Sequence, residues 1–418
     1  MISNKKEILV SAYAISPYLG SEYGVGWNFV SKLSDFYNIT VLYGTSGGEM
    51  GNNSGIIDYL KKNEKININF VFVKPNKLVN FFDFLNHKVS PLFFTIAYYL
   101  WQIQVFGVAK KLISQKKFQL IHQLNTIGFR QPGFLWKLGI PFVWGPVGGS
   151  SNLDKIFMGS LSKGNLIKNI IRNITNLYFL KFSSRIKSTV KAAAAIFVAT
   201  TADQMNFIKY FKIELPVIRE NSIIKYATEI KKINEVIVFV WVGSLDERKA
   251  LNFLLEALSR LRTTKPWVLN VVGDGPIRRH LYNLSVNFGI NNNIIWHGNV
   301  SHDSVISIMK KSDINIITSI MDSNPTVLLE AFEVGIPTIA LDHFGMKDLI
   351  DDHVGFKISI TNINEIIHTL ALTLTSCIEN HQYVELLKNN IIKRQKELHW
   401  DKSIKKVCDI YEKVIIND

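Results

Sequence analysis

The chain has 418 residues, of which 47% are hydrophobic, and 48 Lys and Arg outnumber 34 Asp and Glu to give a net charge of +14. This length and hydrophobic content suit two domains with sizeable cores, and the positive charge predicts an anionic partner. Two cysteines exclude a disulfide scaffold and a cysteine metal cluster, and they fit a reducing compartment.

Short β-rich runs alternate with longer helical patterns along the whole chain. The predicted strands of the first half are EILVSAYA (7–14), NITVLYG (38–44), INFVFV (68–73), FQLIHQL (118–124), IPFVWG (140–145) and AAIFVAT (194–200). Those of the second half are VIVFVWVG (236–243), WVLNVVG (267–273), NIIWHG (293–298), INIITS (314–319), IPTIAL (336–341) and VGFKI (354–358). This alternation predicts an α/β protein of two Rossmann-like, doubly wound domains with helices on both faces of parallel sheets.

A polar, proline-containing stretch near 212–235 separates the two sets of strands and predicts the domain boundary. We expect a first domain over 1–215, a second over 216–399, and a C-terminal helix over about 400–418 that packs back on the first. Two successive domains of this kind predict a cleft between them, with ligands at the carboxyl ends of the strands.

One segment of the first half, residues 89–109, carries no charge over 21 positions, which is long enough to span a bilayer. Pro91, Gln102 and Gln104 dilute its apolar character, and it lies between predicted strands of one domain. We therefore interpret it as a buried or surface-dipping helix.

A second segment, residues 155–191, contains eight basic residues and no acid, with apolar residues interleaved. Such a segment indicates either a membrane-surface element or a solvated helix face. No signature of a nucleic-acid module is present, so a nucleic-acid partner is not expected. The eight residues are Lys155, Lys163, Lys168, Arg172, Lys181, Arg185, Lys187 and Lys191.

Six loops follow strands at the expected carboxyl edges and carry glycines or polar side chains. Gly24 and Gly26 precede a helix predicted to start near Gly26, and Gly148 and Gly149 form a tight turn after the fifth strand. In the second half, Lys249 opens a helix after the strand 236–243. Gly273 and Gly275 lie at the end of the strand 267–273, and NVSHD (299–303) follows the strand 293–298. Each motif alone is often only a turn, but six at the same edges favour a ligand site.

The last of these loops, residues 319–337, holds Asp322 and Glu330 eight positions apart. Asn324 is a suitable N-cap and Pro325 a suitable first residue for the helix TVLLEAFEV. The free amides at such a helix start attract phosphates, and the two carboxylates accept hydrogen bonds from hydroxyls, so a sugar joined to a phosphate is a plausible ligand. The alternative is that Asp322 caps a turn and Glu330 lies on a solvated face.

Nearly the whole chain resembles the GT-B-fold glycosyltransferases of the GT4 type, a family of retaining hexosyltransferases. The resemblance rests on six stretches: VGSLDERKALNFLLEAL (242–258), NVVGDGPIRRHL (270–281), IIWHGNVSHDSVISIMKKSDINIITS (294–319), DSNPTVLLEAFEVGIPTIALDHFG (322–345), GSEYGVGW (20–27) and IPFVWGPVGG (140–149). It implies that Glu330 holds the ribose hydroxyls of a nucleotide, that Asp322 contacts the donor sugar, and that Lys249 contacts the diphosphate.

Two positions depart from the family pattern. Ser244 stands where the family usually has Arg, which removes one cation from the diphosphate site, although Arg248 can substitute. Asp322 stands where the family usually has Glu, which shortens the reach by one methylene.

The resemblance also implies roles for residues around these positions. The remaining donor-binding candidates are Gly24, Gly26, Gly243, Ser244, Arg248, Gly273, Gly275, His297, Asn324, Thr326 and Val327. On the acceptor side we expect Gly148, Gly149 and Arg130, although a surface role for Arg130 stays open. His122 matches a catalytic histidine near the donor sugar, and a core histidine is the alternative.

These features predict a glycosyltransferase that moves a hexose from a nucleotide sugar to a glycan or lipid-linked acceptor with retention, in polysaccharide or glycan assembly. We expect no metal and no cofactor, and a cytoplasmic protein held peripherally on the inner face of the cell membrane. The alternative is a catalytically silent GT-B scaffold, which Ser244 and Asp322 would favour. A nicotinamide dehydrogenase is excluded because GDGPIR lacks the G-x-G-x-x-G pattern.

Overall fold

A computed structural model describes residues 5–63, 67–227, 232–233 and 235–416. The chain divides into two compact units. The first unit comprises Met1–Ser151, Asn176–Glu220 and Ser403–Asp418, and the second comprises Asn152–Thr175 and Asn221–Lys402.

The first unit is built around a six-stranded parallel sheet in the order β3-β2-β1-β4-β5-β6. Its strands are β1 (Glu7–Ala12), β2 (Asn38–Tyr43), β3 (Ile68–Phe72), β4 (Leu120–Asn125), β5 (Phe142–Val147) and β6 (Ala195–Val198). The helices of this half of the chain are α1 (Ser21–Leu33), α2 (Ser54–Lys62), α3 (Lys77–Lys88), α4 (Phe93–Gln115), α5 (Lys163–Phe182), α6 (Ser184–Ala192) and α7 (Thr201–Phe211).

The second unit repeats this topology in the order β12-β11-β10-β7-β8-β9, again all parallel. Its strands are β7 (Ile237–Val242), β8 (Trp267–Val272), β9 (Ile294–Gly298), β10 (Ile314–Ile317), β11 (Thr338–Leu341) and β12 (Gly355–Ile358). The helices of this half of the chain are α8 (Leu251–Ser259), α9 (Arg278–Asn287), α10 (His302–Lys311), α11 (Thr326–Glu333), α12 (Phe344–Leu349), α13 (Ile363–Glu379), α14 (His381–Leu398) and α15 (Trp400–Ile416).

The predicted fold class is confirmed, since all twelve predicted strands are present and each unit is a doubly wound parallel sheet. The strands are apolar on both faces because helices cover both sides of each sheet. In each sheet the strand order reverses once, between β1 and β4 in the first unit and between β7 and β10 in the second. In open parallel sheets, this reversal point is where ligands bind.

The units differ from the predicted 1–215 and 216–399 mainly because residues Asn152–Thr175 belong to the second unit. The boundaries also move by a few residues, to Glu220 and to Lys402. Phe157 is fully buried there and stacks on Phe253 of α8. Residues Ser403–Asp418, which include most of α15, belong to the first unit.

The uncharged segment 89–109 forms most of α4, which buries Trp101 and Val105 and leaves Ile96 and Ile103 exposed. Within the described part of the chain, no helix is long and apolar enough to cross a membrane. The start predicted for α1 is wrong by five residues: the helix begins at Ser21 rather than near Gly26.

Candidate active site

Two loops meet at the reversal point of the second sheet, one after β7 and one after β10. The Thr318 hydroxyl accepts a hydrogen bond from the Trp241 indole at 3.1 Å and donates one to the Lys249 carbonyl at 2.8 Å. The Ile320 amide donates to the Arg248 carbonyl at 2.9 Å. These bonds fix the backbone of both loops relative to the sheet.

The two loops bring opposite charges together. The Lys249 ammonium lies 2.5 Å from the Asp322 carboxylate, and each side chain is only 15% exposed. The Arg248 guanidinium lies 3.9 Å from the same oxygen and donates to the Met321 carbonyl at 3.3 Å. The Arg248 guanidinium also lies 3.8 Å from the more exposed Asp246 carboxylate. Two cations therefore lie beside Asp322, and their hydrogen-bond donors suit an anionic ligand.

The start of α11 differs from the prediction. Pro325, rather than Asn324, occupies the N-cap position, and its carbonyl accepts the Leu328 amide at 3.0 Å. Asn324 makes no capping bond, and both polar atoms of its buried side chain have no hydrogen-bond partner among the described residues. The extended backbone of Pro325 shifts the helix start to Thr326, which leaves the Thr326 and Val327 amides in the first turn, as expected for an anion site.

Glu330 lies one turn further along α11 and has a partner that the sequence did not reveal. His302, the first residue of α10, approaches the Glu330 carboxylate with its Nε2 at 3.0 Å. The only signal for this contact was the position of NVSHD directly after β9. His297, by contrast, is held by the Asn270 side chain of β8 at 2.8 Å, and partial burial lowers its pKa.

The glycines after β7 and β8 allow these loops to pack on each other. A side chain on Gly273 would place its Cβ 1.9 Å from the Gly243 carbonyl oxygen, and one on Gly275 would come within 2.5 Å of the Leu245 oxygen. Ser244, between Gly243 and Leu245, is exposed. The predicted glycines therefore shape the loop that carries Lys249.

At the corresponding edge of the first sheet, the predicted residues lie on loops that pack against one another or share hydrogen bonds. A Cβ on Gly26 would lie 2.3 Å from the Ala14 oxygen, so α1 packs closely on the loop after β1. The Gly148 amide donates to the Ile127 carbonyl at 2.8 Å, which joins the loops after β5 and β4. Gly149 has a φ of +75° and open space around it, and Gly24 lies in the first turn of α1.

The predicted catalytic role of His122 is contradicted by its burial. The ring is fully buried, with Nε2 at 2.6 Å from the Gly145 carbonyl and Nδ1 at 2.6 Å from the Tyr411 hydroxyl. Because the carbonyl only accepts, Nε2 carries the proton and Nδ1 accepts from Tyr411. Burial lowers the pKa of His122 to about 4. His122 is therefore a neutral core residue that joins β4 to α15.

Arg130 also has partners inside the first unit. Its Nε and Nη2 donate to the Asn176 amide oxygen at 2.9 and 2.5 Å, and Asn176 is fully buried. The guanidinium is thus held by the protein, which argues against the predicted contact with an acceptor.

Comparisons with known proteins agree with this architecture. Residues 224–390 match the family described as glycosyl transferases group 1. The lipopolysaccharide 1,6-galactosyltransferase of Salmonella typhimurium is 33% identical over 118 residues, which cover 27% of this chain and 32% of that protein. The chain spans about a third to just under half of the length of the first curated relatives it matches.

Solved structures match over nearly the whole chain. The apo form of the lipopolysaccharide outer core galactosyltransferase WaaB has a TM-score of 0.67 and 16% identity, with 97% of this chain and 98% of that chain covered. HepE of Anabaena in complex with UDP-glucose has a TM-score of 0.58 and 15% identity, with 97% and 99% covered. At these identities the likeness shows the fold, which is GT-B.

Proposed function

We propose that this chain, whose residues 224–390 match the group 1 glycosyl transferases, transfers a hexose from a nucleotide sugar to a glycan or lipid-linked acceptor. The observation that carries the proposal is the cluster of Lys249, Arg248 and Asp322 at the reversal point of the matching unit. This cluster presents positive charge beside a helix start, where a diphosphate would bind.

The donor we propose is a UDP-hexose, with galactose or glucose as the first sugars to test. Support comes from the galactosyltransferase named among the relatives and from the UDP-glucose complex of HepE. Lys249, Arg248 and the first amides of α11 would bind the diphosphate. Preorganised positive charge of this kind stabilises the negative charge that develops on a leaving phosphate.

Asp322 and Glu330 would hold the two sugars of the donor. Asp322 would accept hydrogen bonds from the hexose hydroxyls, and Glu330 from the ribose hydroxyls. His302 faces Glu330 at 3.0 Å, so ribose binding would either displace this imidazole or share the carboxylate with it.

We propose that transfer proceeds with retention and without a metal ion. The acceptor oxygen would bond to the anomeric carbon on the face from which the diphosphate leaves, and the leaving phosphate oxygen would take the acceptor proton. No protein nucleophile enters this scheme. Among residues 5–63, 67–227, 232–233 and 235–416, no group of three or more His, Cys, Asp or Glu side chains is placed to hold a metal ion.

The proposed acceptor lies at an anionic membrane surface, on the cytoplasmic face. The support is an exposed apolar face on α5, formed by Ile167, Ile171, Ile174, Tyr178 and Phe182. A second apolar face lies on α3 and the start of α4 and consists of Leu78, Phe81, Phe84, Val89, Leu92 and Ile96. Apolar faces flanked by lysines are typical of helices that lie in a membrane interface.

The basic segment contributes to this surface mainly through lysines. Its six lysines are exposed, but Arg185 is stacked over Tyr99 and donates to the Arg130 carbonyl at 2.8 Å. Arg172 contacts the Met321 sulfur. Of the eight basic residues of this segment, the two arginines therefore serve the packing of α5 and α6, and the six lysines remain at the surface.

The proposal is tested by hydrolysis of UDP-galactose and UDP-glucose, since water can replace the acceptor. We expect slow UDP release by the wild type and a strong loss in Glu330→Gln. A catalytically silent scaffold, which the exposed Ser244 favours, would release no UDP from either donor. Inclusion of the exposed-residue variant Lys209→Ala controls for general effects of mutation.

A further inference from the structure

The reversal point of the first sheet, between β1 and β4, contains a carboxyl group that the proposed donor site does not use. Glu22 lies in the first turn of α1, directly after the loop that leaves β1. By topology, β1 and β4 correspond to β7 and β10, whose loops carry Lys249 and Asp322. Glu22 therefore occupies the place in the first unit where an open sheet of this type binds ligands.

The surrounding backbone is held by the side chains of Asn125 and Tyr98. The Asn125 amide donates to the carbonyls of Ala14 at 2.7 Å and Glu22 at 3.0 Å, and its oxygen accepts the Ala14 amide at 3.2 Å. The Tyr98 hydroxyl donates to the Asn125 carbonyl at 3.2 Å and accepts the Thr126 amide at 3.0 Å. The loops after β1 and β4 are thus fixed around the Glu22 side chain.

The Glu22 carboxyl group is only half satisfied. The Ile127 backbone hydrogen bonds to it, but Oε2 is buried and has no hydrogen-bond partner among the described residues. An unpaired buried carboxyl oxygen costs free energy. Such a group is typical of a site that is completed by a ligand.

Three glycines on the loops at this edge of the sheet have open space beside their backbone. A Cβ built on Gly20, Gly128 or Gly149 would meet no other atom within 4 Å. Gly20 is the N-cap of α1, and Gly128 pairs with Gly148 in a parallel bridge. Backbone from three loops therefore borders unfilled space at this edge of the sheet.

Burial also changes the titration of Glu22. Desolvation raises its pKa to about 7, and the hydrogen bond with Ile127 lowers it by a smaller amount. The titratable group that interacts with the Glu22 charge is Tyr98 of α4, whose own pKa is raised, mainly by burial. Near neutral pH the carboxyl group therefore exists in both forms.

We propose that Glu22 binds a hydroxyl group of the sugar acceptor in the crevice between β1 and β4. This inference rests on the proposed function and deepens it, because it gives the first unit a specific acceptor contact. The ionised carboxylate accepts the hydrogen bond through Oε2, the oxygen that has no partner among the described residues. Glu22 is thus a specificity residue for the acceptor, whereas the diphosphate belongs to the second unit.

The test compares transfer with hydrolysis in Glu22→Gln and Glu22→Ala. The donors are UDP-galactose and UDP-glucose, and the acceptor probes are octyl glycosides of glucose, galactose and N-acetylglucosamine. We expect the acceptor KM to rise about 10- to 100-fold, as for a lost hydrogen bond to a charged group, and transfer to fall at least 10-fold more than hydrolysis. The wild-type acceptor kcat/KM should rise with pH through about 7, and this rise should be absent in Glu22→Gln. Asp35→Asn, at the exposed end of α1, is the matched control.

Any other result contradicts either the acceptor role of Glu22 or the proposed function as a whole. If the Glu22 variants lose hydrolysis and transfer equally, or behave like Asp35→Asn, the acceptor role of Glu22 is overturned and the proposed function is not affected. Hydrolysis by the wild type without transfer to any of the octyl glycosides also counts against a crevice that recognises a sugar hydroxyl. A wild type that neither hydrolyses nor transfers overturns the proposed function and the Glu22 role together.

Discussion

Replacement of Glu22 by Gln should stabilise the protein at neutral pH. The carboxyl group has its pKa raised from 4.5 to about 7 by burial, so the folded chain holds this proton more tightly than the unfolded chain does. The contribution of Glu22 to stability is therefore complete below pH 4.5 and is lost as the pH rises toward 7, because the carboxyl group of the unfolded chain ionises first. Gln has the same shape as the protonated acid and never ionises, so it removes this loss.

The size of the effect follows from the shift. About 2.5 pKa units correspond to roughly 3 kcal/mol of unfolding free energy at about 1.36 kcal/mol per unit. Integrated over the titration, the gain in Glu22→Gln should be close to zero at pH 4, about 2 kcal/mol at pH 6 and about 3 kcal/mol at pH 7.

The assay is urea unfolding of the wild type, Glu22→Gln and Asp35→Asn at pH 4.5, 6 and 7.5. The shift in the urea concentration at the unfolding midpoint gives the stability change, provided that the slope of unfolding free energy against urea stays the same. A gain that is the same at all three pH values would mean that packing, rather than ionisation, separates Gln from Glu. No gain at pH 7.5 would refute the buried, unpaired carboxyl group and, with it, the structural basis of the acceptor site.

His122 has the opposite effect over nearly the same range. Its folded pKa of about 4 lies below the ordinary value of 6.5, so its contribution is complete above pH 6.5 and is lost as the pH falls toward 4. The two contributions, each about 3 kcal/mol, therefore oppose each other in the first unit. Glu22→Gln should accordingly be more sensitive to acid than the wild type, whose two buried groups offset each other.

Four further outcomes are expected. Lys249→Ala should lower kcat/KM for UDP release by about 10²- to 10³-fold, the usual cost of one oxyanion-stabilising group, while Lys209→Ala leaves it unchanged. Excess EDTA should leave hydrolysis and transfer intact, and restoration of lost activity by Mg²⁺ or Mn²⁺ would contradict the metal-free scheme. The protein should float with anionic vesicles but not with neutral ones, and both added salt and the double substitution Lys163→Gln, Lys168→Gln should weaken this binding. Equal flotation with neutral vesicles would refute an electrostatic contribution to membrane binding. Tyr411→Phe should destabilise the protein by about 1–3 kcal/mol because His122 Nδ1 loses its buried donor, and an unchanged urea midpoint would contradict this contact.

The sheets could be predicted from the sequence because each buried parallel strand is a continuous apolar run. It also placed Lys249 and Asp322 at one edge, since the ends of β7 and β10 meet wherever the order of the strands reverses. The start of α11 was predicted less well, because the choice between Asn324 and Pro325 as N-cap depends on the backbone angles of the preceding turn.

Contacts between distant parts of the chain could not be predicted from one sequence. Tyr411 meets His122 across 289 positions, and this contact is what makes His122 a core residue rather than a catalytic one. Glu22 looked like an ordinary acidic residue at a helix start, where carboxylates are common. Its partners are Asn125, the last residue of β4, and Ile127 in the loop after it, about a hundred positions away in the chain.

The charge balance of the site links the two departures from the family pattern. Ser244 removes a cation next to the strand glycine, but the adjacent 3-10 turn Glu247–Lys249 brings Arg248 within 3.9 Å of Asp322, beside Lys249. Arg248 also has the Asp246 carboxylate at 3.8 Å, so two cations and two carboxylates are present. A diphosphate would meet the freed donors of Lys249 once Asp322 exchanges this lysine for sugar hydroxyls. The exchange conserves the hydrogen bonds of both groups, because the ammonium passes from carboxylate to phosphate oxygen while the carboxylate gains hydroxyl donors. A site with this balance can release Lys249 without exposing an unpaired buried charge, and this favours an active transferase over a silent scaffold.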